Sequence, residues 1–441
     1  MNYTEFFLFA SENLLSLLLI TVATVIIYLF IYKKYILTVF DPFFLITIIA
    51  GLSTSTVFYL YYHDLIKKIY FYQFLITEIS FIVGFLLIKP ISLERYKDRN
   101  IEISNNIFSE RFNNILFYVS SITHLSMQIL TYIMVGIPIL LNSRMEVYSG
   151  GSGFGIVGRV IDVVGIVGPF LGIYKLFYKK QNLTLNKIYL YTYIILVLIF
   201  MLISGNKTNL VFFIYYIFLV NIYMVKINGK KALEIVNKNS KLQKTLFLTS
   251  IPLIFFVMYI QYVNSESENY INPLTSLAQR IISFGDIYYM TLPNEIIKFM
   301  DSTSGFMQLF KDPLGMLRIY SWEDLPLDCG IEIYKFHYSS DILTGPNARY
   351  NYFSILYFNE TGQIVYCFMI GLITSFIRNS LYRRLPKNII FGIIYSLFSF
   401  NLIYIFQDQS FTIAKFLNII IFLPIILLIT LAIEYITLKT K

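Results

Sequence analysis

The sequence predicts an all-α polytopic membrane protein with about eleven transmembrane helices and one large loop, on three observations. Of 441 residues, 57% are hydrophobic and only 14% charged, against about 25% charged in an ordinary soluble domain. Mean hydropathy is +0.65. The apolar residues arrive in blocks of about 20, and at about 1.5 Å per residue each block crosses the roughly 30 Å hydrocarbon core. So little charge excludes a soluble enzyme, and the expectation is a single membrane domain over residues 1–441 with one large loop at 264–361.

The apolar windows lie at 13–32, 42–61, 70–89, 114–138, 160–178, 188–204, 209–225, 245–263, 362–381, 388–406 and 416–436. The first is expected to persist as a helix: residues 1–12 contain no Lys or Arg, the stretch is long for a signal peptide, and no small-residue cleavage pattern follows. Lys33 and Lys34 close it. The segment Lys89 to Arg111 divides the third window from the fourth, and a glycine-rich stretch, 144–159, divides the fourth from the fifth. Lys175 to Lys187, Ser204 to Thr208 and Lys226 to Lys244 separate the next three windows. After the large loop, Arg378 to Lys387 follows the ninth window, and Lys439 with Lys441 follow the eleventh.

Lys and Arg are held on the cytoplasmic face of a bundle. Counted on alternate sides, 23 of the 35 fall on one face, which is therefore expected to be cytoplasmic. The other face carries twelve, six of them within 264–361 beside twelve acids, so the large loop and the N-terminus are expected outside and the C-terminus inside. The same rule accounts for the net charge of +9 without nucleic acid, for which there is no long basic run and no RNA-binding motif. The aromatic fraction of 18% reads as lipid-facing and interfacial rings. Cys329 in the loop and Cys367 inside a window give no disulfide framework.

Long external loops of bundles carry function more often than they merely connect. Within this one, Leu274, Leu277, Ala278, Ile281, Phe284 and Tyr288 recur at helical spacing with Arg280 on the flank, predicting an interfacial helix. His63, His124 and His337 are too scattered for a zinc cluster, so no metal is expected. Lys207 lacks the upstream glycine of a phosphate loop, and no cofactor is called for. A transferase on the external side has no nucleotide pool and needs a donor activated in the membrane, for which a lipid-linked pyrophosphate is the natural form.

Arg144, Arg159, Arg280, Arg318 and Arg349 all lie on the external side. Guanidinium forks bind phosphate oxygens bidentately and keep their charge in low dielectric, and preplaced cations stabilise a pyrophosphate leaving group as its charge grows. By sequence position, Arg349 and Arg280 rank above Arg318, which lies farthest from the flanking windows. Between Arg144 and Arg159 five glycines permit close backbone approach to an anion, and Asp162 is placed to pair with Arg159. Glu323, Asp324, Asp328, Asp341 and His337 are candidates for the base that activates a sugar hydroxyl, and nothing in the sequence chooses among them. Tyr320, Trp322, Tyr334 and Tyr338 lie beside these acids and suit a carbohydrate cleft.

The stretch Leu343-Thr344-Gly345-Pro346-Asn347-Ala348-Arg349-Tyr350, followed by Tyr357 to Gly362 and an apolar window, resembles the end of the large loop in O-antigen polymerases of the Wzy type. Ser204-Gly205-Asn206-Lys207-Thr208 is similar to that family's Gly-x-Arg-Thr turn, with Lys207 in place of arginine. Arg144 and Gly155 match its spacing of arginine, ten residues, glycine, whereas Arg318 and Gly330 are one residue too far apart. The resemblance implies a glycosyltransferase C-like fold in the inner membrane of a Gram-negative bacterium, with the large loop in the periplasm. It also implies lipopolysaccharide biosynthesis: undecaprenyl-pyrophosphate-linked repeat units as substrates, a chain-length co-polymerase of the Wzz type as partner, and Lys207 among the donor-binding residues. An O-antigen ligase, which delivers the chain to lipid A-core, and a repeat-unit flippase remain the alternatives.

Overall fold

The computed structural model describes residues 1–93, 108–140, 155–179, 184–204, 207–264, 281–293, 295–300, 304–338 and 345–439. Among these residues every regular element is helical. The chain is a multi-pass, all-α membrane protein: nine helices among the described residues are long and apolar enough to cross a bilayer. They are α2 (Leu14–Tyr32), α3 (Pro42–Tyr62), α4 (Lys68–Leu86), α5 (Glu110–Val135), α6 (Gly155–Tyr178), α7 (Thr184–Ile203), α8 (Lys207–Asn228), α14 (Glu360–Ser375) and α16 (Gln409–Lys439). Helix α14 continues through a π-helical turn, Phe376–Leu381, to Arg384.

The remaining elements show where window averaging fails. Residues 1–12 form a separate helix, α1 (Tyr3–Glu12), closed by a capping box between Asn2 and Glu5. The eighth window lies inside a much longer helix, α9 (Lys230–Asn264), because the lysine-rich stretch before it holds good helix formers and no breaker before Pro252. Gly229, with φ of 54°, makes the left-handed turn that ends α8. The tenth window is a shorter helix, α15 (Ile389–Asn401), followed by a 3-10 turn, Leu402–Tyr404. The loop supplies α10 (Asp286–Thr291), α11 (Gly305–Met316), α12 (Cys329–His337) and α13 (Tyr350–Tyr357).

The chain divides into two compact units. The first holds Met1–Ile91, Leu274–Arg383 and Asn401–Ala414. Its tightest pair is α4 with α14, where two glycines work reciprocally: a Cβ on Gly84 would stand 2.1 Å from the Phe368 carbonyl oxygen, and one on Gly371 2.1 Å from that of Phe81. Small residues that let backbones touch are the usual basis of helix association in lipid, where burial from water no longer drives it. Aromatic stacking fills the rest, with Phe43 on Phe85 at 4.9 Å and Phe6 of α1 on Tyr289 of α10 at 4.1 Å. Arg378 pairs with Asp41, which also caps α3 through Phe43 N–H at 2.9 Å.

The second unit holds Ser92–Pro273, Arg384–Phe400 and Lys415–Lys441. Its centre is α8, buried on almost every side from Phe212 to Val225, as a helix apolar all round should be. Tyr223 OH donates to the Pro386 carbonyl at 2.6 Å and Lys226 Nζ to that of Leu385 at 2.5 Å, fixing the turn before α15.

Candidate functional site

The loop does not stand apart from the first unit's membrane helices. Its short helices nest among them, because Glu78, near the middle of α4, offers a buried carboxylate that the loop satisfies. Glu78 Oε1 accepts from Tyr28 OH at 2.5 Å, and Oε2 accepts from Tyr350 OH at 2.6 Å and Asn351 Nδ2 at 2.9 Å. Tyr288 OH donates to Asn351 Oδ1 at 3.3 Å, bringing α10 into the same cluster. A carboxylate inside a span needs partners of this kind. Sequence reading passed over Glu78 because one acid barely lowers the average of a 20-residue window. A polar residue in mid-span was the signal that could have found it.

This anchoring places the residue just before Tyr350. Arg349 is 4% exposed, and its Nη2 donates to the Phe284 carbonyl at 2.6 Å while its Nε finds no protein acceptor. Its backbone is held at φ 45°, a conformation that costs a side-chain-bearing residue about 1–3 kcal/mol. The Arg349 N–H, donating to the Gln407 carbonyl at 2.9 Å, helps to hold it there. Burial lowers the guanidinium's pKa, and the nearby Tyr288 and Asp286 oppose that shift. Gly345 and Gly330 explain the approach: a Cβ on either would come within 2.0 Å of the other segment's backbone oxygen.

His337 ends α12 and is fixed on the same scaffold. Its Nε2 lies 2.7 Å from the Met290 carbonyl, which can only accept, so Nε2 carries the proton and Nδ1 keeps the lone pair. Burial lowers the His337 pKa, leaving the ring neutral at pH 7. Phe284 and Met290 are six residues apart, about 9 Å along a helix. The segment from Ser283 to Thr291 thus orients a cation at one end and a proton acceptor at the other.

The other expected residues fall elsewhere or outside the described residues. Arg144, Arg280 and Asp341 lie outside them, and so does the side chain of Lys207, which opens α8 in the second unit. Arg159 lies in α6 of the second unit, without an ion-pair partner among the described residues. The expected Arg159–Asp162 pair does not form. Asp162 instead pairs with Lys415 and accepts from Asn418 Nδ2 at 3.0 Å, since α16 brings both donors to its face of α6. Glu323 and Asp324 are exposed in the turn after α11, Asp328 pairs with Lys311, and Arg318 is exposed with φ of 54°. The aromatic group divides: Tyr334 and Tyr338 pack together next to His337, while Tyr320 and Trp322 lie on the exposed turn. Of the expected interfacial stripe, Leu274, Leu277, Ala278 and the flanking Arg280 lie outside the described residues; of the rest, Ile281 is exposed, Phe284 is half-buried and Tyr288 is buried against α4 and α13.

Asp408 is a further carboxylate that sequence reading missed. Its Oδ1 caps α16 through Phe411 N–H at 2.9 Å, and burial together with nearby Asp328 pushes its pKa up to about 6. The folded state therefore binds the proton more tightly than the unfolded chain. This contribution to stability is full below the ordinary carboxylate range and is lost as pH rises through about 6. Asp408→Asn keeps the cap but cannot titrate. Thermal unfolding in detergent is expected to lose that part of the pH dependence in the variant, and an unchanged profile would count against it.

No protein-family model, curated protein or solved structure matches this chain.

Proposed function

We propose that this protein polymerises undecaprenyl-pyrophosphate-linked oligosaccharide repeat units into O-antigen at the periplasmic face of the bacterial inner membrane, as a membrane glycosyltransferase without metal or cofactor. One observation supports this reading above the others: Arg349 and His337, expected separately as donor ligand and base, are both hydrogen-bonded to carbonyls of the segment from Ser283 to Thr291. In the reaction, His337 Nδ1 takes the proton of the acceptor hydroxyl as that oxygen bonds to the donor's anomeric carbon. The bond from that carbon to the lipid pyrophosphate breaks, and the charge on the leaving phosphate is met by arginine. A Wzz-type co-polymerase would set chain length, and the large loop would face the periplasm. Active alkaline-phosphatase fusions at Glu332 are expected on that topology, and inactive ones would contradict it.

The oriented His337 also favours a second reading, O-antigen ligase, which uses the same donor with lipid A-core as acceptor. The lipopolysaccharide ladder of a deletion strain separates them. Loss of a polymerase leaves core bearing one repeat, loss of a ligase leaves bare core, and loss of a flippase, the transport alternative, accumulates units on the cytoplasmic side. For either transferase, activity should fall on acidification as His337 protonates, and the residual activity of His337→Gln should lack that limb. A limb unchanged in the variant would remove His337 from the role of base.

A further inference from the structure

Helix α11 buries a face of small and polar residues, and an apolar patch is exposed beside it. Its buried positions, Gly305, Gln308, Lys311 and Gly315, recur at three- and four-residue spacing and carry either no side chain or a polar one. Gln308 Nε2 donates to the Leu327 carbonyl at 2.9 Å, and Lys311 pairs with Asp328. Of the helix's own large apolar side chains Phe306 is 61% exposed while Met307, Leu309, Phe310 and Leu314 are half-buried, and the turn that follows exposes Ile319 at 60% and Trp322 at 56%, with Leu317, Tyr320 and Leu327 beside them. Polar groups turned inward and an apolar patch left outside suit an apolar exterior, and a patch of this kind marks a membrane or partner surface.

Two contacts fix its level. A Cβ on Gly305 would stand 2.9 Å from Tyr357 Cβ and 3.0 Å from the Phe358 ring, and those residues lead directly into membrane helix α14 through its cap, Asn359. The Gln308 carbonyl accepts from Ser410 Oγ at 2.7 Å, in the first turn of membrane helix α16. The segment is thus attached to the starts of two candidate membrane spans.

We propose that the segment from Gly305 to Leu327 docks on the lipid bilayer itself, with Phe306, Leu317, Ile319, Tyr320, Trp322 and Leu327 entering the interface of the leaflet in which α14 and α16 begin. Aromatic rings with a polar tip favour that depth, as do basic side chains beside lipid phosphates. Arg318, exposed at the left-handed turn after α11, supplies the charge. Glu323 and Asp324, exposed in the following turn, mark its aqueous edge. The inference rests on the membrane helices and the exposed apolar patch beside them, and it holds whichever activity the protein has.

Trp322 is the only tryptophan in the chain, so its fluorescence reports this surface without any substitution. The full-length protein is placed in phosphatidylcholine nanodiscs, with or without acyl-chain-brominated lipid, and titrated with iodide. Brominated lipid is expected to remove most of the emission, and iodide little. In the double variant Phe306→Asp, Ile319→Asp, emission should shift to the red and iodide should gain access. Strong iodide quenching of the wild type with no effect of bromine would overturn the proposal. So would protection from both quenchers, which would assign the patch to a protein contact, or bromine quenching that persists in the double variant.

Discussion

Arg349→Ala is expected to lower polymerisation on the order of a hundredfold, the loss that follows when a charge-stabilising donor worth about 3 kcal/mol is removed from a transferase site. Arg349 is buried, carries an Nε with no protein acceptor, and sits on a strained backbone held by Gln407. Such strain persists where the surroundings over-determine it, and it concentrates at working sites. Arg349→Lys should recover little, because an ammonium cannot reproduce both the contact to the Phe284 carbonyl and the remaining fork. Turnover per folded molecule, with unfolding temperature measured alongside, separates chemistry from stability. Near-normal turnover in Arg349→Ala with loss only in Arg318→Ala would reverse the ranking of the two arginines.

Glu78→Ala is expected to produce the largest loss of stability. It leaves Tyr350 OH without its acceptor in a buried cluster, while Tyr28 OH keeps only Thr54 Oγ1 at 2.8 Å and the Asn351 amide only Thr77 Oγ1 at 3.3 Å. Orphaned buried donors cost about 1–3 kcal/mol each, a large share of a total stability of roughly 5–15 kcal/mol. Tyr350 and Asn351 directly follow Arg349, so activity should fall together with stability. Glu78→Gln keeps one acceptor oxygen and allows the tyrosines to reorient, so it should retain most of the unfolding temperature. A Glu78→Ala protein that unfolds like the wild type would show that the cluster does not hold the loop.

Hydropathy made the bundle legible because a span needs about 20 apolar residues in succession, and few alternatives satisfy that. It failed at single residues, where averages erase the evidence. Asn13, the joint between α1 and α2, and Glu78 both vanish into their windows. Partners distant in sequence were equally hidden: Asp162 is paired by Lys415 across 253 positions, although Arg159 lay nearer in the chain. The candidate site was half legible. Arg349 and His337 were recognisable as chemical types, but the two carbonyls that hold them belong to backbone, which a residue-type search does not see. The polar buried face of α11 escaped for another reason: Gln308 and Lys311 look solvent-facing until the fold buries them and pairs them with the Leu327 carbonyl and Asp328.

Purified protein supplied only with undecaprenyl-pyrophosphate-linked repeat units tests the proposed activity most directly. A polymerase converts them, with no nucleotide sugar and no lipid A-core, into lipid-linked chains of two or more repeats, releasing one undecaprenyl pyrophosphate per bond formed. Units that remain single until lipid A-core is added, and are then transferred to it, would contradict polymerisation and identify a ligase.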